Sequence, residues 1–192
     1  MTHLDLSNRR PRREILLSLL GAFVCVLGAA SAMRVPAGDS VTAYKLKSAF
    51  IYNFAKYTTW PKSSFSQKTS PLVVGIYGKD PFGKMIDDVL KGKRIGDHPI
   101  VVKRFTKEKD LETAHILFLG DLNKQAFAEA ISTCKKKPIL LLGESPGFAK
   151  ASGIAGFYLE KSKVRFEIHS GRSKACHLTI SSQVLKLARI VE

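Results

Sequence analysis

Gly143-Glu144-Ser145-Pro146-Gly147 has the G-x-S-x-G spacing of a hydrolase nucleophile elbow, and it follows an apolar run as such an elbow follows a strand. The chemistry fails at the next residue. The oxyanion hole of that elbow uses the backbone N–H after the serine, and Pro146 has none. No Asp follows Ser145, so the acidic partner would have to be Glu160 or Glu167. "GIYGKDPFGK", residues 75–84, is glycine-rich but lacks the spacing and the Lys-Ser/Thr pair of a phosphate-binding loop. His169, Cys176 and His177 cluster in sequence, yet with only Cys134 and His115 of similar kind they fall short of a zinc set. The residues therefore imply no catalytic group, metal or cofactor. One ligand-binding feature remains: Gly78, Gly120 and Gly143 each end an apolar run, with Asp80, Asp121 and Glu144 close behind. In open α/β sheets that edge holds ligands, although glycine turns and acidic helix caps produce the same pattern.

Charge and the N-terminus bound where such a chain acts. It holds 31 Lys+Arg against 16 Asp+Glu, a formal +15, which calls for an acidic partner. Arg9, Arg10, Arg12 and Arg13 precede an apolar run, Ile15 to Ala30, that ends in Ala30-Ser31-Ala32. This is the layout of a secretory signal over 1–32, cleaved near Ala32, with 33–40 as linker and 41–192 as the folded domain. The uncharged stretch to Met33 is also about long enough for a retained anchor. Arg12-Arg13 fits twin-arginine export as well as the general secretory route. Residues 1–32 hold four basic and two acidic residues, so 27 basic and 14 acidic remain, a mature charge of +13. Export makes nucleic acid a poor partner. The basic runs around Lys91, Lys103 and Lys135 also lack the interleaved aromatics that stack bases.

Elements that position these residues read as α/β. A helix over about 41–57 stops at Trp60-Pro61, because the residue before proline is pushed out of helical geometry. Strands follow at 72–78, "PIVVKRF", "AHILFLG" and 138–143, all apolar runs bounded by Gly or Pro. Asp80 and Asp121 read as helix caps, the second opening a helix that reaches Cys134. "GIAGFYLE" and "KVRFEIH" read as a β-hairpin, with Val164, Phe166 and Ile168 on one face of its second strand. Ser181 caps a last helix, with Ile180 and Leu185 as its staple. The expected fold is a single α/β domain with a mostly parallel, mixed sheet, helices on both faces, the hairpin at its edge and a terminal helix. After signal removal Cys134 and Cys176 are the two remaining thiols. An oxidising compartment can join them if the helix end and the last loop meet.

The first helix carries the densest aromatic content. With Leu46 at zero, Phe50, Phe54 and Tyr57 fall at about 40°, 80° and 20°, a face expected to dock on the sheet. Ile51 and Tyr52 fall at about 140° and −120°. They need another cover, which is either the same chain or a partner or second copy. Asn53 lies within the docking face and is expected to bond backbone near the Trp60-Pro61 corner.

"KLKSAFIYNFAKYTTWP", "VVGIYGKDPFG", "HILFL", "GFYLEKSKVRFEIH" and "LTISSQVLKLAR" together resemble the YfiR family of periplasmic proteins from Gram-negative bacteria, over about Tyr44 to Arg189. His169 stands where that family usually has Asn, and His177-Leu178 where Gly-Leu is common. Cysteines that relatives carry near "AHILFL" are absent, so the family's disulfides do not transfer. The resemblance implies a non-enzymatic, dimeric, membrane-proximal but soluble regulator. It would bind the periplasmic domain of an inner-membrane diguanylate cyclase and hold it inactive until an OmpA-like outer-membrane lipoprotein relieves the hold. An adaptor for another sensor, such as a histidine kinase, and a periplasmic small-molecule-binding domain are the alternatives.

Overall fold

The computed structural model describes residues 37–192; the expected signal over 1–32 lies outside them. α1 (Ala37–Tyr57) begins four residues inside the expected linker. The order continues β1 (Thr58–Thr59), β2 (Leu72–Tyr77), α2 (Lys84–Leu90), β3 (Arg94–Ile95), β4 (His98–Phe105), β5 (Ile116–Leu119), α3 (Lys124–Cys134) and β6 (Leu140–Gly143). It closes with α4 (Phe148–Ala151), β7 (Ala155–Glu160), β8 (Lys163–His169), α5 (Ser170–Ala175), β9 (Thr179–Ile180), α6 (Ser182–Leu185) and β10 (Arg189–Val191).

Eight strands form the main sheet in the order β10-β8-β7-β6-β5-β2-β4-β3. Pairings from β4 through β7 are parallel, and β7–β8 and β3–β4 are antiparallel. Continuous apolar strands are explained by cover on both faces. Ile116, Phe118, Leu140 and Leu142 join α1 and α2 on one side. Leu117, Leu119 and Leu141 join α3 and α4 on the other.

Three expectations are corrected here. The hairpin β7–β8 is not the sheet edge, because the chain returns after α6 and adds β10 in parallel to β8, pairing Ile190 with Ile168. Asp80 does not cap α2. Its Oδ1 accepts the N–H of Phe82 and Gly83, its Oδ2 accepts Arg104 Nε at 2.9 Å, and the helix starts only after Gly83. Asp121 does not cap α3 either: it bridges to Lys79 through backbone, and Asn123 takes the Ala126 N–H at 2.9 Å. The last helix is a single turn, with Ser181 at its cap and Ile180 buried.

Candidate interaction surface

α1 is held by polar groups as much as by apolar ones, and this sets which side it shows to solvent. Lys47 and Ser48 are buried, together with Ile51, Phe54 and Ala55. Glu144, at the end of β6, accepts a hydrogen bond from the Tyr44 hydroxyl at 3.0 Å and pairs with the Lys47 ammonium. Burial first, and Glu144 second, push the Tyr44 phenol up to about 12. Ser48 Oγ donates to the Tyr44 carbonyl at 2.8 Å, so this inward polar row is satisfied. Below it Phe54 meets Phe166 edge-on at 5.1 Å, and Tyr44 meets Phe82 at 5.5 Å.

The helix is consequently rotated from its expected setting. Ile51 is fully buried and belongs to the core, which removes it from any partner or dimer surface. Tyr52 is half-buried, with the Lys93 ammonium 5.5 Å from its ring centroid, so the same chain supplies part of its cover. Asn53 is exposed and does not sit buried at the Trp60-Pro61 corner. That corner is built by His115 instead. Its carbonyl accepts Trp60 Nε1–H at 3.2 Å, its Nδ1 accepts the Val73 N–H at 3.1 Å, and its Nε2–H donates to the Ser64 carbonyl at 3.0 Å. Pro61 follows, its carbonyl accepting the Ser64 N–H in the turn Lys62–Ser64.

The rotation leaves Leu46 and Asn53 outside and puts Phe50 and Tyr57 at the boundary, partly buried against the core, with Phe50 edge-on to Phe166 at 5.2 Å. Leu46 is 43% exposed, and on α6's continuation Leu187 is 68% exposed. Phe50, Asn53 and Tyr57 face Gln183, Val184 and Leu187 across a groove of about 290 Å³. Lys45, Lys56 and Lys186, the sequence neighbours of Leu46, Tyr57 and Leu187, are exposed. β10, which begins two residues after Leu187, is the end strand of the sheet, with Ile190 46% exposed. An apolar groove with an exposed leucine in its wall is of a kind that can receive a protein surface. Sequence reading expected Phe50, Phe54 and Tyr57 to dock on the sheet; Phe54 does so fully and Phe50 partly, both against Phe157 and Phe166, while the centre of the buried face lies further round the helix, at Ile51 and Ala55. The signal it missed was the polar row Tyr44, Lys47 and Ser48 at the same i, i+3, i+4 spacing.

At the strand ends the chain packs closely on its glycines. A side chain at Gly120 would lie 2.0 Å from the Lys79 carbonyl oxygen, and Gly143 and Gly153 are both covered by the Phe148 ring. Glu144 is engaged by α1, and Ser145 is exposed, its carbonyl taking the Phe148 N–H. Cys134, the last residue of α3, and Cys176, just after α5, are both buried free thiols in the wall of one cavity. Burial pushes Cys134 up to about 11 and Cys176 in the same direction.

The family model described as YfiR/HmsC-like matches residues 44–189, from the Tyr44 that reaches Glu144 to the Arg189 that opens β10. The chain belongs to the YfiR/HmsC-like family. This is a regulatory family, and the matched span runs from within α1 to β10, so it includes the whole groove of this YfiR/HmsC-like domain. No curated protein matches the sequence. Among solved structures, an ABC domain from Streptococcus pneumonia in complex with L-Trp is similar at 11% identity and a TM-score of 0.44. That similarity covers 62% of this chain, which spans 56% of the other. No helix among the described residues is long and apolar enough to cross a membrane.

Proposed function

We propose that this YfiR/HmsC-like chain is a periplasmic, non-enzymatic regulator that binds the periplasmic sensor domain of an inner-membrane diguanylate cyclase and restrains it. The observation that carries the reading is the groove between α1 and α6, an apolar cleft with Leu187 68% exposed in its wall, within a matched regulatory domain. The secretory layout of residues 1–32 supports a periplasmic site of action, out of reach of the cyclase's cytoplasmic substrate, so influence has to pass by contact. A homodimer and an OmpA-like outer-membrane lipoprotein that relieves the restraint complete the proposed assembly. Deleting the gene should raise cyclic-di-GMP and biofilm formation, and deleting the partner cyclase as well should abolish that rise. Unchanged cyclic-di-GMP, where both proteins are expressed, would overturn the proposal and favour an adaptor for another membrane sensor.

A further inference from the structure

On the face of the sheet opposite α1 lies a second concavity, of about 480 Å³, between α3, the turn after it, and α5. Its volume is in the range of small-molecule sites. Ile131, Ile139, Leu141 and Ile154 make an apolar wall, and no Asp or Glu lines it. Three cations do: Lys135, Lys136 and Arg172. The lysines are exposed and sit at the carbonyl end of α3, where they offset the helix dipole.

Arg172 is different in kind. It is half-buried, and its guanidinium is fixed by three backbone carbonyls: Nη1 donates to Ala149 at 2.5 Å and to Gly153 at 2.6 Å, and Nη2 to Lys150 at 3.2 Å. Those bonds use three of its five N–H groups, and carbonyls leave the positive charge without a counter-ion. Among the described residues Arg172 has no carboxylate partner, unlike Arg104 and Arg189. A rigid, unneutralised guanidinium beside an apolar wall is suited to a carboxylate that carries an apolar body.

From this cavity we infer a binding site for a small apolar monocarboxylate, its carboxylate at Arg172 and its body against Ile131, Ile139, Leu141 and Ile154. The site does not rest on the regulator reading, because binding is read on the purified chain alone. It is also separate from the groove, which shares no lining residue with it.

The test is calorimetric titration of the exported chain, under reducing conditions, with 2-naphthoate, its neutral alcohol 2-naphthylmethanol and the cation 2-naphthylmethylammonium. Naphthoate should bind and the cation should not. Ala128→Trp, an exposed helix position on the cavity wall, should lower naphthoate affinity by about tenfold or more without moving the thermal midpoint. Arg172→Gln should remove the preference for naphthoate over the alcohol while the alcohol's affinity stays, a split that a merely structural role would not produce. Bound naphthoate should also slow alkylation of Cys134 and Cys176, read peptide by peptide. Equal binding of anion and cation, no binding up to the solubility limit, or an unchanged affinity in Ala128→Trp would overturn the inference. So would loss of binding in Leu187→Ser, which would put the ligand in the groove.

Discussion

At His115 several elements share one residue. The ring accepts from the Val73 N–H, donates to the Ser64 carbonyl and stacks on Phe65 at 4.4 Å, while its own backbone carbonyl takes the Trp60 indole. This geometry requires the neutral ring protonated at Nε2. Burial is the largest cause that holds its pKa below the usual histidine value. The sign follows from linkage: a histidine depressed on folding binds its proton more readily in the unfolded chain, so its contribution is complete above about pH 6.5 and is lost as pH falls below that value. His169 is depressed in the same direction, and its Nδ1 takes the Arg172 N–H at the start of α5. Denaturant unfolding at pH 7 and at pH 5 should therefore show a loss of stability on acidification, smaller in His115→Gln than in wild type. Equal losses would remove His115 as the cause. A second expectation belongs to Glu144. Glu144→Ala leaves the buried Lys47 ammonium and the Tyr44 hydroxyl without their acceptor and should cost on the order of 1–3 kcal/mol, whereas the double change with Lys47→Met should recover part of it.

Along α1, the two sides differ in what substitution should do. Ile51→Ala and Phe54→Ala remove fully buried side chains and should cost about 2–5 kcal/mol in urea unfolding. Leu46→Glu and Leu187→Ser fall on exposed positions and should leave stability within about 0.5 kcal/mol. If the groove receives a partner, those same two variants should weaken self-association or capture of the sensor domain. Tyr52→Glu should cost stability as well as any binding, since the residue is partly buried by its own chain. A Leu187→Ser protein that unfolds like Phe54→Ala would show that the C-terminal wall of the groove is core rather than surface.

For the whole molecule, charge and the N-terminus set the expectations. If residues 1–32 are removed, the remaining chain of +13 should meet an acidic sensor face quickly at low ionic strength and more slowly as salt screens the approach beyond about 10 Å. Stopped-flow or surface-binding traces should show salt acting mainly on association, and the groove variants mainly on dissociation. Mass spectrometry of periplasmic material should find a chain that starts at or near Met33, and an intact Met1 would reject cleavage after Ala32.

Periodicity and punctuation in the sequence were enough for the α/β class, for the central strands and for the helix-to-Trp60-Pro61 stop. Each rests on local physics: strands covered on both faces must be apolar on both, and the residue before a proline is pushed out of helical geometry. Ser181 as a cap and the alternating strand Val164, Phe166, Ile168 are legible for the same reason. Only the tertiary structure decided which way α1 turns. Amphipathic reading assumes that polar residues face water, and Tyr44, Lys47 and Ser48 break the assumption because Glu144, a hundred residues from Tyr44, supplies their partner. Once that polar row is drawn inward, Ile51 goes into the core with it, Leu46 turns outward, and Phe50 and Tyr57, still partly covered by the core, line a groove whose other wall comes from the C-terminus. The fate of Asp80 and Asp121 was decided in the same way, by Arg104 and by the backbone of Lys79. Long-range pairing of this kind leaves no mark in local spacing, so the surface that a partner would meet was hidden although every residue that builds it was in plain sight.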